Sequence, residues 1–335
     1  MNRRILPSFV ALLVMALAVA PAWAQVQNRT IYGIPEGWSV TANGQSVTVS
    51  GDSAIVPEGA AVLLIPPLPA KPKVSNVTLE EVIRDPLAVP LTMEALTAGN
   101  IKVNMTGNLS TGMKYSVNGG AKNLITNTTT IDVAAGDKVQ FYGNGTSTQA
   151  YGYSPVVAFL GTAQTKVYGN IMSLLDEDNF ATLTALPNQS YVFYGLFKNN
   201  ANLTDASGLL LPATTLREHC YYVMFLGCSS LTAAPALPAT TLAGSCYYQM
   251  FQDCSSLTAA PVLPATTLVY RCYFLMFQGC SNLNSVTCMA INFANQCTTN
   301  WLDGVAATGT FYANPSTGWG NGADGIPTGW TRQTP

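Results

Sequence analysis

The stretch CYYVMFLGCSSLTAAPALPATTLAGSCYYQMFQDCSSLTAAPVLPATTLVYRCYFLMFQGC, residues 220–280, decides the fold of the C-terminal half. A cysteine, an aromatic pair, a Met-Phe and a second cysteine return every 26 residues. Units starting at Cys220 and Cys246 agree at 19 of 26 positions, and the unit from Cys272 keeps CYFLMFQGCSNL. Looser copies flank them. VFYGLFKNNANLT from Val192 rejoins the pattern at LPATTL, residues 211–216, and Trp301-Leu302-Asp303-Gly304-Val305 stands in the slot of MFQGC. Val167-Tyr168-Gly169-Asn170-Ile171-Met172 echoes the motif 25 residues upstream of Val192, so the array runs from about 167 to 312. A unit this short cannot bury its apolar face alone, and stacking into a solenoid is the expected remedy.

Differences between units show which positions the repeat can vary: Val223/Gln249/Leu275, Leu226/Gln252/Gln278 and Gly227/Asp253/Gly279. Their i, i+3, i+4 spacing is that of one face of a helical turn. The fixed positions Cys220, Tyr221, Met224, Phe225 and Cys228 fall on the opposite face, as a buried stripe should. Leu231 to Leu237, short and bounded by prolines, reads as a strand-like leg made irregular by Pro235, which has no N–H for a ladder. The expected unit is a turn of helix plus a short strand.

A 26-residue period with leucine at Leu231, Leu257 and Leu283 lies in the leucine-rich-repeat range. The motif CYYxMFxxCSSLTxAPxLPATTL, over about 145 residues, resembles the BspA-like leucine-rich-repeat surface proteins of anaerobic mouth and gut bacteria. The tail WLDGVAATGTFYANPSTGWGNGADGIPTGW is similar to the ending common in that group. The resemblance implies a secreted or surface-exposed, non-enzymatic protein, of a group in which some members adhere to host matrix proteins or cells. It fixes no universal binding residues, so none are carried over. The sequence departs from the leucine-rich consensus in placing Ala and Pro in the strand leg.

Outward from the array, the rest of the chain reads as exported and β-rich. Arg3 and Arg4, an apolar run from Ile5 to Ala20 and Ala22-Trp23-Ala24 make residues 1–24 a secretory signal. Residues 25–73 read as a small β unit and a linker: strand-like runs flank Asn43-Gly44, a hairpin signal, and PPLPAKPK at 66–73 is stiff and extended. Residues 74–166 alternate with period two at Ile101, Val103 and Met105, at Tyr115 and Val117, at Ile131 and Val133, and at Val139 and Phe141. Turn signals between these runs predict an antiparallel β-sandwich. The solenoid and its C-terminal cap occupy 167–335.

Charge and chemistry narrow the function. Charged residues are 10% of the chain, against an ordinary value of about 25%, and the net charge is −2. No basic field exists to hold nucleic acid. No second apolar stretch reaches membrane-spanning length, so no membrane insertion is expected once the signal is removed. All eight cysteines lie between 220 and 297, in slots dictated by the repeat, which favours buried free thiols over disulfides. No CxxC is present and His219 is the only histidine, so neither zinc nor any other cofactor is expected. His219 beside Cys220 is a conceivable nucleophilic pair. His219, however, aligns with the variable slot of Ser245, Arg271 and Gln296, whereas Cys220 belongs to the buried stripe. Asp176-Glu177-Asp178-Asn179 lacks the spacing and glycine of an EF-hand and reads as a polar loop.

The expectation is therefore a non-enzymatic, monomeric binding or adhesion module for an extracellular protein. Cell-surface glycan binding and a ligand-free spacer are the alternatives. The candidate contact residues are Tyr222, Tyr248 and Phe274, the second aromatic of each pair, with Gln249, Gln252 and Gln278 on the variable face.

Overall fold

A computed structural model describes residues 28–32, 39–42, 45–50, 53–57, 62–65, 85–105, 112–126, 128–144, 157–315 and 317–335. The secretory signal, the Asn43-Gly44 pair and the Pro-rich linker lie outside these residues. The described residues are β-rich, with several separate sheets and almost no helix among them. The described residues fall into two compact units, one before residue 82 and one from residue 82 onward.

The first unit holds β1 (Asn28–Tyr32), β2 (Ser39–Ala42), β3 (Gln45–Val47), β4 (Val49–Ser50), β5 (Ser53–Pro57) and β6 (Val62–Ile65). They form two three-stranded sheets, ordered β1-β5-β4 and β3-β2-β6. Strands β2 and β3 pair antiparallel with Ala42 opposite Gln45.

The second unit begins with β7 (Thr92–Ala95), β8 (Gly99–Met105), β9 (Lys114–Val117), β10 (Asn123–Leu124), β11 (Thr128–Val133), β12 (Lys138–Tyr142), β13 (Val157–Gly161) and β14 (Thr165–Asn170). Together with β15 (Leu203–Leu210) they make two sheets, β10-β9-β12-β7-β14-β15 and β11-β8-β13. Alternation does the expected work: Ile101, Val103, Met105, Ile131, Val133, Val139 and Phe141 are all buried. Tyr115 and Val117 are half-buried, and Ser116 between them is the buried residue of that strand. Phe141 on one sheet meets Phe159 on the other at 4.6 Å between ring centroids, which joins the two faces.

Residues 166 and 167, where the sequence suggests one domain gives way to the next, both lie within β14. That strand runs antiparallel to β7 and parallel to β15, so one strand serves both regions. The ring column continues across as well: Phe159 stacks on Phe197 at 5.5 Å, and Phe197, Phe225, Phe251 and Phe277 follow at 5.2 to 5.5 Å.

The array corrects the expected helical turn. Among the described residues the helical segments are 3-10 only, at Pro86–Ala88, Ile171–Leu174 and Phe180–Thr182. The segment 219–228 is a chain of tight turns with positive φ every fourth residue, at His219, Val223 and Gly227. The next units repeat this at Ser245, Gln249 and Asp253 and at Arg271, Leu275 and Gly279. A left-handed residue at every fourth position cannot lie within an α-helix. The strand leg is as irregular as its prolines require. It is marked by the isolated bridges Asp205 to Ala233 and Ala259 to Ser285, and by short strands β16 (Thr267–Leu268), β17 (Ser285–Cys288) and β18 (Asn292–Phe293). Strands β19 (Gly309–Ala313) and β20 (Trp330–Gln333) continue parallel from β17 and close the chain.

Candidate functional site

The turn segments build a surface through strict division of their backbone donors. Tyr221, Val223, Phe225 and Gly227 donate N–H bonds to Cys246, Tyr248, Met250 and Gln252 of the next unit, at 2.8 to 3.0 Å. The intervening Cys220, Tyr222, Met224, Leu226 and Cys228 donate within their own turn, to the carbonyl three residues back. Every N–H from 220 to 228 thus has a partner, as buried backbone demands. The cost is a left-handed conformation at non-glycine residues such as Val223, φ 50°, of about 1–2 kcal/mol per residue. The inter-unit hydrogen bond at the same residue offsets it.

Because the units stack in register, like side chains lie in columns. Phe193, Tyr221, Tyr247, Tyr273 and Trp301 form an inner column at 5.7 to 6.0 Å. Cys228, Cys254 and Cys280 each donate a thiol to the carbonyl of Phe197, Phe225 and Phe251, at 3.0 to 3.2 Å. All eight cysteines are buried and unpaired. Burial pushes the thiols of Cys220, Cys228, Cys280 and Cys288 up to about 12. At neutral pH Cys220 is therefore a thiol rather than a thiolate nucleophile.

The six candidate contact residues come together on the outer side. Tyr194, Tyr222, Tyr248 and Phe274 make one stack with spacings of 5.3, 4.4 and 4.7 Å and interplanar angles of 15° or less. Tyr222, Tyr248 and Phe274 are half-buried, each with part of its ring open to solvent. Stacked pairs contribute about 0.5–1.5 kcal/mol each beyond their buried area, so the stripe is rigid before anything binds. Beside it Gln249 donates to Gln252, Gln252 to Gln278 at 2.9 Å, and Gln278 to Asp303 Oδ2 at 3.2 Å. Arg271 lies over Phe274, its guanidinium carbon 5.1 Å from the ring centroid.

Sequence reasoning placed His219 on a variable surface slot and missed its part in this stripe. It is half-buried, stacks on Tyr191 at 4.4 Å, and has Nδ1 buried without a hydrogen-bond partner. Burial lowers its pKa, opposed by the carboxylate of Glu218. Tyr191 and Tyr194 were also missed, since the degenerate unit from Val192 hides the equivalence of Tyr194 with Tyr222; their half-buried or buried rings extend the stripe by one unit. The acidic loop is tied internally. The Asp176 carboxylate accepts from Asp178 N, Asn179 N and Asn179 Nδ2, and those bonds lower its pKa. Glu177 pairs with Lys114 at 2.7 Å.

Comparison with family models, with curated proteins and with solved structures finds no match to this chain.

Proposed function

We propose that the chain is an exported binding or adhesion protein: a small β unit, a β-sandwich and a leucine-rich-repeat solenoid of the BspA-like kind. It holds an extracellular protein partner along the outer stripe of the solenoid and does no catalysis. The observation that carries this reading is the continuous stack Tyr194-Tyr222-Tyr248-Phe274 beside the glutamine chain. Half-exposed aromatics fixed in place offer large contact area at little entropic cost, and amides beside them supply hydrogen bonds. Apart from His219, the only ionisable acidic or basic side chains between 219 and 300 are Asp253 and Arg271, so surface complementarity rather than charge does the holding.

The test is surface plasmon resonance of the mature chain against a panel of purified extracellular-matrix proteins. At least one is expected to bind, with little dependence on salt, and Tyr248→Ser is expected to weaken it about tenfold or more, as loss of a central aromatic contact does. Binding that Tyr248→Ser leaves unchanged, or a panel with no binder, overturns the assignment.

A further inference from the structure

The array ends at the rung of residues 293–304, and the chain beyond 317 covers only part of it. In the interior rungs Tyr221, Tyr247 and Tyr273 donate their N–H groups to the next rung, and so do His219 and Ser245 two residues earlier. The equivalent residues of the last rung are Thr298 and Gln296: the Thr298 backbone N–H turns to the Cys297 thiol, and that of Gln296, like that of Arg271 one rung earlier, has no partner among the described residues. The following two ladder donors are capped. Asn300 N–H bonds Asp324 Oδ1 at 2.6 Å, and Leu302 N–H bonds the Ala323 carbonyl at 3.4 Å.

Both residues line a cleft of about 410 Å³, together with Phe293, Trp319, Asn321 and Asp324. Phe293 continues the column of Leu216, Leu242 and Leu268, pairing in parallel register with Leu268. Those leucines are buried, but Phe293 is 43% exposed and meets Trp319 edge-on at 4.7 Å. The indole N–H of Trp319 is buried with no partner among the described residues. The wall is well fixed. Trp301 Nε1 bonds the Gly325 carbonyl at 3.0 Å, Ile326 N–H bonds the Gly320 carbonyl at 2.9 Å, and a Cβ at Gly325 would fall 2.0 Å from that same carbonyl oxygen.

We propose that this cleft is a binding subsite for one neutral sugar residue. Its volume is at the small end of the range of about 300–1,000 Å³ usual for small-molecule sites. The open Gln296 N–H and the nearby carboxylate call for a ligand rich in hydroxyls. Asp324 spends one carboxylate oxygen on Asn300 N–H and keeps the other for a hydroxyl donor. It is the only charged residue of the lining, which disfavours an anion. Arg271 is engaged with Gln296 Oε1 at 2.8 Å and is not part of the lining. The exposed Phe293 ring suits the C–H face of a pyranose. An extended peptide fits less well, because it would find one free ladder donor and then meet the tail already seated on Asn300 and Leu302.

The experiment is saturation-transfer NMR and tryptophan fluorescence of the mature chain with glucose, galactose, mannose and N-acetylglucosamine. At least one sugar is expected to receive saturation. Phe293→Ala, an exposed position whose folding is checked by circular dichroism, is expected to weaken it about tenfold, the upper end for one aromatic contact. Asp324→Asn, which keeps an acceptor for Asn300 N–H, should weaken the same sugar. Tyr248→Ser should leave sugar binding unchanged, which separates this subsite from protein capture by the outer stripe. Silence across the panel, wild-type binding by Phe293→Ala, or occupation of the cleft by a short peptide but by no sugar overturns the proposal.

Discussion

From residue 85 to 170 the strands pair mostly antiparallel and no cysteine is present, while from 191 to 305 four-residue turns alternate with strand legs and the chain carries every one of its cysteines. The three salt bridges among the described residues, Lys114 and Lys122 with Glu177 and Lys166 with Glu94, belong to the six-stranded sheet and the acidic loop against it. The array uses stacked rings, buried thiols and amide chains instead. A continuous phenylalanine column and the shared strand β14 join two regions whose side-chain chemistry is otherwise different, so solution conditions should separate them.

Alkali should do so most strongly. A thiol raised by folding stays protonated in the native state while the unfolded chain ionises near 8.5. The native state then holds the extra protons, and stability falls as pH climbs from there towards about 12. Each thiol removes about 1.4 kcal/mol per pH unit in that window. Four groups at about 12 together remove about 5 kcal/mol per unit, enough to exhaust an ordinary stability of about 5–15 kcal/mol within about one to three units. Under reductant, fluorescence of the buried Trp301 should report unfolding of the array above pH 9, while slow amide exchange at Val103 and Phe141 persists to higher pH. A single shared midpoint would show that the two regions unfold as one, and a flat profile to pH 11 would show that the cysteines are not free thiols.

Phe251 sharpens the same contrast from within the array. Its ring is fully buried between Phe225 and Phe277, at 5.4 and 5.5 Å. Phe251→Ala leaves a cavity in the column and is expected to cost about 3–5 kcal/mol in a denaturant melt. A cost under about 1 kcal/mol would mean that neighbouring rungs close over the gap, which a close-packed interior resists.

How much of this was legible follows from what repeats. The 26-residue period exposed the buried columns directly: Cys220, Tyr221, Met224, Phe225 and Cys228 are all fully buried. The helix was misread because a turn repeat of four residues presents side chains at nearly the 3.6-residue spacing of a helix. One slot carried the warning. It holds Asn199, Gly227, Asp253, Gly279 and Gly304, residue types that tolerate positive φ, and all five have it. The shared strand was hidden because Val167 and Tyr168 match both the repeat and the period-two pattern of the sheet. The terminal cleft was legible only as an oddity, Phe293 standing four residues before Cys297 where Leu216, Leu242 and Leu268 stand before their own cysteines.

The smallest effects distinguish the two kinds of polar contact. In the array, Gln252 is the middle of a half-buried chain from Gln249 to Gln278 and on to Asp303. Gln252→Ala breaks neutral hydrogen bonds and is expected to cost about 0.5–1.5 kcal/mol, a value that salt should not change because no charge is lost. Beside the six-stranded sheet, Glu177 holds Lys114 at 2.7 Å and Lys122 at 3.7 Å, with both lysine side chains more than a third exposed. Glu177→Gln is therefore expected to cost no more than about 1 kcal/mol at low salt. In about 1 M salt, where the screening length falls to about 3 Å, that cost should shrink towards zero. Paired urea melts of the two variants at both ionic strengths make the check. Should the Gln252→Ala cost vanish in salt while that of Glu177→Gln persists, the division of the molecule into an amide-bonded array and an ion-paired sheet region would be wrong.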